Sequence, residues 1–149
     1  MLATPIYNRK ALYDYQILER YTAGIVLTGP EVKSLRAGGA QLQDAFCAFK
    51  HGELHILNLY IAPYKQAGYT HTPERRPRKL LLKKDELRRL QGRLTQKGLT
   101  IIPLRIFFNE RGWAKVEIGI AEGRRKYDKR QAIRAREERR AMERLQKRY

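Results

Sequence analysis

The chain has 149 residues, with 32 Lys and Arg against 15 Asp and Glu and a formal net charge of +17, which fits one domain plus an appendage. Its apolar runs fall far short of the roughly 20 residues a membrane helix needs. The opening MLATPIYNRKALYDY has no continuous apolar segment of the secretory kind, and the lone Cys47 excludes an internal disulfide or a cysteine zinc set. The expectation is a cytoplasmic protein without cofactor or membrane contact. Its self-repelling charge is usually relieved by a polyanionic partner, nucleic acid or an acidic protein before an anionic membrane surface.

In chain order, residues 14–20 and 23–29 read as two short strands around Thr22-Ala23-Gly24. GPEVKSLRAGG at 29–39 reads as a helix. Pro30 suits its first turn, Glu31 the positive end of its dipole, and Gly38-Gly39 its stop. Residues 41–50 and 53–61 flank the hairpin signal His51-Gly52. The Pro- and Arg-rich stretch 63–79 reads as a long loop. Leu87, Leu90 and Leu94 give a helix over 84–97, with Asp85 and Glu86 in its first turn and Gly98 after it. Residues 100–108 and 113–120 make a last hairpin. In it Ala114, Val116, Ile118 and Ile120 face the core, and Trp113, Lys115 and Glu117 face out. Pro103 marks an edge or a bulge.

About six strands and two short flanking helices are predicted, and closing the sheet removes its edges. The expected fold is therefore mainly β, an OB-like closed barrel over 1–123. Residues 124–149 hold 12 basic and 4 acidic residues. Their apolar face is thin, so this basic tail is expected to be disordered when free and helical against a polyanion.

No Ser, Cys, His and acid pattern, phosphate loop or metal-ligand spacing stands out, so no catalytic residue is assigned and a non-enzymatic protein is expected. Basic residues interleaved with aromatics carry the RNA reading, because Lys and Arg neutralise phosphates and rings stack on unpaired bases. Four clusters qualify. They are Asn8-Arg9-Lys10, then Lys33 and Arg36 around Ser34, then Arg75-Arg76-Arg78-Lys79 with Lys83-Lys84, and finally Arg124-Arg125-Lys126-Tyr127-Asp128-Lys129-Arg130. Glu31 either caps its helix or touches RNA, Leu81 is either core or contact, and Trp113 either covers a barrel end or stacks on a base.

The ordered segments NRKA at 8–11, GPEVKSLRAG at 29–38, RKLLL at 78–82, KVEIG at 115–119 and YDKR at 127–130 resemble the SsrA-binding protein family (small protein B) over nearly the whole chain. That resemblance implies an OB-type barrel that binds the tRNA-like domain of transfer-messenger RNA (tmRNA). It implies delivery of alanyl-tmRNA, with elongation factor Tu, to a stalled ribosome. By position, Leu81 and Lys115 match tmRNA-binding residues of the family. Gly123, Tyr127, Asp128, Lys129 and Arg130 match tail residues that probe the empty decoding centre and mRNA channel. The family usually has Glu where this chain has Thr22, Thr where it has Pro30, and often His where it has Tyr127. A structural ribosomal protein with a basic extension is the alternative that composition leaves open.

Overall fold

A computed structural model describes residues 5–64, 73–123 and Arg140. Among them, nine strands and three helices run in the order β1 (Ile6–Tyr7), α1 (Arg9–Asp14), β2 (Tyr15–Ile25), α2 (Gly29–Arg36), β3 (Ala40–Gln41), β4 (Phe46–Lys50), β5 (Glu53–Leu57), β6 (Tyr60–Ile61), β7 (Arg78–Leu81), α3 (Lys84–Leu94), β8 (Leu99–Phe108) and β9 (Ala114–Gly123). Strands β8, β4, β5, β7, β2 and β9 follow one another in the sheet, and β9 pairs back onto β8. The result is a closed ring of six strands. β1 adds to β8, while β3 and β6 form a separate two-stranded ribbon.

The expected mainly β barrel is therefore present, but its membership differs. The two strands read around Thr22-Ala23-Gly24 are a single strand, β2, paired with β9 from Tyr15↔Gly123 to Gly24↔Lys115. The missing ring member is β7, which lies at the end of the stretch read as a loop and pairs with both β5 and β2. The run 41–50 is broken at Asp44 and the run 53–61 at Asn58, each with positive φ. α3 stops at Leu94, short of the expected 97, and the six-residue α1 was not anticipated.

Local chemistry accounts for the elements. The Thr28 hydroxyl accepts from the Glu31 N–H at 3.3 Å and the Glu31 carboxylate accepts from the Thr28 N–H at 2.9 Å, a reciprocal cap that fixes the start of α2. His51 and Gly52, at φ 53° and 76°, make the tight turn whose twist suits the β4–β5 hairpin. Asn109 Oδ1 accepts from the N–H groups of Arg111 and Trp113 and closes the β8–β9 turn. Pro103 sits where the β8–β9 register shifts, between Pro103 and Arg105. The bulge reading holds.

The interior is filled by Leu54, Ile56, Leu80, Leu90, Ile101, Ile106, Val116, Ile118 and Ile120, with Cys47 among them. Val116, Ile118 and Ile120 alternate inward as the sequence implied. A second small core lies outside the ring, where Ala11 of α1 packs on Ile102, Leu104 and Ala121. Gly119 makes room for it: a Cβ there would stand 2.9 Å from Ile17 Cγ2 and 3.1 Å from Leu104 Cδ1. Gly119→Ala is expected to destabilise the protein by about 1–3 kcal/mol through overpacking, read as an earlier urea midpoint at unchanged slope.

Candidate nucleic-acid interface

The arginine-rich run around β7 reads as a basic surface, but the structure turns Arg78 inward and half-buries Arg76, while Arg75 stays exposed. Arg78 is wholly buried. Its Nε donates to Glu31 Oε2 at 2.6 Å, Nη1 to the Leu59 carbonyl at 2.7 Å and Nη2 to the Glu74 carbonyl at 3.0 Å. Arg76 also pairs with Glu31. Arg75 lies over the Tyr60 ring and donates to Asn58 Oδ1 at 3.1 Å. Burial by itself would raise the Glu31 carboxyl, but hydrogen bonds from Arg76, the Thr28 N–H and Arg78 outweigh it and hold the group below the usual carboxylate range.

Four of the residues read as RNA contacts are buried in the fold. Arg78 and Glu31 are a buried ion pair joining β7 to the start of α2. Ser34 is buried on the inner side of α2. Asn8 is buried as a cap: its Oδ1 accepts from the Ala11 N–H at 3.3 Å and its Nδ2 donates to the Pro103 carbonyl at 2.9 Å. Two of these contacts join residues far apart in sequence, Arg78 with Glu31 and Asn8 with Pro103, and no local pattern announces them.

What remains outside forms a coherent surface. Gly24 pairs with Leu81 on one side and Lys115 on the other, so Leu81, Gly24 and Lys115 form one row across β7, β2 and β9. Leu81 is 52% exposed, which excludes its reading as core. Gly24 has no side chain to separate its neighbours: a Cβ there would lie 3.3 Å from Leu81 Cβ and 3.7 Å from Lys115 Nζ. Trp113, 66% exposed, stands just before the row on β9, and this removes its reading as a barrel cover. Arg36 lies over the Phe108 ring and Lys33 over the Tyr64 ring. Both are exposed on α2. Lys79 is half-buried and pairs with Glu53 at 3.0 Å, and Lys83 is exposed at the start of α3.

Arg9 and Lys10 lie apart on α1, with Lys10 Nζ 3.8 Å from Asp44. Gly123, the last residue of β9, pairs with Tyr15 at the far end of the β2–β9 ladder from Lys115. Arg124, Arg125, Lys126, Tyr127, Asp128, Lys129 and Arg130 fall outside the described residues, as does the expected disorder and folding of the tail. Among the described residues, no group of three His, Cys, Asp or Glu is placed to hold a metal, and no helix is long and apolar enough to cross a membrane.

The family model described as "SmpB protein" matches residues 5–148. An SsrA-binding protein of Thermus thermophilus is 54% identical over 144 residues, spanning 97% of this chain and 100% of the relative. One from Parabacteroides distasonis is 51% identical over 143 residues, spanning 96% and 94%. A solved structure described as "tmRNA-SmpB: a journey to the center of the bacterial ribosome" superposes with a TM-score of 0.72 at 54% identity, covering 89% of this chain and 96% of the other. Matched from β1 through the basic tail by the family model, this chain belongs to the SmpB family of SsrA-binding proteins.

Proposed function

We infer that this protein is an RNA-binding adaptor of trans-translation. It binds the tRNA-like domain of tmRNA through the barrel, accompanies alanyl-tmRNA with elongation factor Tu to the stalled ribosome, and probes the empty decoding centre and mRNA channel with the tail. The relatives named SsrA-binding proteins and the likeness to a tmRNA-SmpB structure support the RNA and the ribosome as partners. The observation that carries the barrel's share is the row Leu81–Gly24–Lys115. It sets an apolar side chain and an ammonium side by side on a flat, side-chain-free strand position, flanked by Trp113. Such a surface fits a folded RNA that presents backbone and unpaired bases together.

The test is binding of the purified full chain to tmRNA against elongator tRNA and a random duplex across a salt series. Preference for tmRNA that persists as salt rises is expected. Equal, steeply salt-dependent binding to all three would leave only a generic polyanion binder. Lys115→Ala is expected to weaken tmRNA binding and to lower the salt slope by about one. An unchanged slope would remove Lys115 from phosphate contact.

A further inference from the structure

Next to the Leu81–Gly24–Lys115 row lies a second row on the same outer face. Tyr7 of β1 stands opposite Arg105 of β8, Arg105 opposite Glu117 of β9, and Glu117 opposite Thr22 of β2. Lys115 and Glu117, two positions apart on β9, belong to adjacent rows of one surface. Between the Glu117 row and α1 opens a cavity of about 280 Å³ lined by Tyr7, Leu12, Arg20, Leu104, Arg105 and Glu117.

The walls of this cavity differ in kind. Leu104, 1% exposed, lies at its bottom, and Tyr7, 50% exposed, and Leu12 are its apolar members. The polar side is two guanidiniums held by one carboxylate: Arg20 Nη1 donates to Glu117 Oε1 at 2.8 Å and Arg105 Nε to Oε2 at 3.2 Å. Arg105 is further fixed over the Phe107 ring, 4.3 Å from its centroid. Glu117 neutralises one of the two charges, so the rim keeps a net positive charge with its donors oriented in advance. An apolar bed with an accessible ring beside a fixed cationic rim matches one ligand chemistry, a flat base joined to a phosphate.

We propose that this cavity receives one unpaired nucleotide of the tRNA-like domain, its base against Tyr7 and Leu12 and its phosphate on Arg20 and Arg105. The proposal rests on the tmRNA-binding reading above and extends that interface by one row along β9. Continuity with the Lys115 row and the charge of the rim favour RNA as the occupant. Glu117 acts here as a positioning residue that aims both arginines.

The test compares the full-length wild type, Tyr7→Leu and Tyr7→Phe in binding to tmRNA and to isolated small ribosomal subunits. Leu keeps the apolar volume and removes the stacking ring, so Tyr7→Leu should weaken tmRNA binding by about five- to 150-fold, the span expected for losing one stacked base. Tyr7→Phe should bind like the wild type. Methyl resonances of Leu12 and Leu104 in the wild type should shift on adding the tRNA-like domain RNA, which reports on the cavity without any substitution. Wild-type affinity in Tyr7→Leu together with unshifted methyls would overturn the proposal while leaving the tmRNA reading intact. A loss confined to ribosomal subunits would overturn it by placing the nucleotide in ribosomal RNA. Failure of the wild type to prefer tmRNA would remove the tmRNA reading and this proposal with it.

Discussion

Removing residues 124–149 is expected to leave tmRNA affinity within a few-fold of the intact protein and to bring peptide tagging on stalled ribosomes to background. A cut after Gly123 keeps every β2–β9 pair, since Gly123 is the last paired residue of β9. The Leu81–Gly24–Lys115 row then stands unaltered. The cut removes 12 basic and 4 acidic residues, so binding to unrelated RNA should weaken and its salt dependence should flatten. The two readouts are gel-shift affinity for the tRNA-like domain RNA and tagging in a reconstituted translation system. Equal loss of both would refute the division of labour between barrel and tail.

The second large effect is expected at Arg78. Arg78→Met keeps an apolar stem of similar length but strips the donors from the carbonyls of Leu59 and Glu74 and leaves the buried Glu31 carboxylate with Arg76 as its remaining arginine. Breaking one side of a buried pair costs about 3–5 kcal/mol, here roughly 10–20 °C in melting temperature. Lys79→Met, one residue along but only half-buried and paired with a half-exposed Glu53, should stay within about 0.5 kcal/mol of wild type. Similar melting of both variants would mean that the buried network contributes little. The pH dependence follows from Glu31. Its folded-state value is depressed, so its contribution is complete above the unfolded value of about 4.3 and is lost as pH falls through the lower folded value. Glu31→Gln should flatten that part of the acid limb in urea titrations.

These residues also show which parts of the molecule the sequence discloses. The hairpin at His51-Gly52, the leucines of α3 and the alternation along β9 are legible because each rests on neighbours within a few residues. β7 escapes the pattern because Arg78, one of its two inward residues beside Leu80, is charged, and its burial depends on Glu31 some 47 residues away. Thr22-Ala23-Gly24 resembles a turn, but two flanking strands hold it extended. α1 buries only Ala11 and is too short to show a period. Of the surface, Leu81 and Lys115 came from resemblance and Trp113 and Lys115 from outward alternation. The meeting of Tyr7, Arg20, Arg105 and Glu117 needs the strand register, which no linear spacing encodes. Counting charges overstated the Arg75–Lys79 run, whose arginines find partners within the fold.

The long β2–β9 ladder has a geometric consequence. From Gly24↔Lys115 to Tyr15↔Gly123 it spans ten residues of β2, nine steps, roughly 30 Å at about 3.3 Å per residue. One end carries the row offered to RNA, and the other is where the tail departs. On the proposed reading the ladder works as a ruler, setting how far from the RNA the tail begins. Its graduations come in twos: one inserted residue would turn every following side chain to the opposite face, moving Lys115 or Gly123 out of alignment. A change of length that preserves both ends must come in pairs or be absorbed at the irregularities already present, between Ile17 and Glu19 on β2 and between Pro103 and Arg105 on β8.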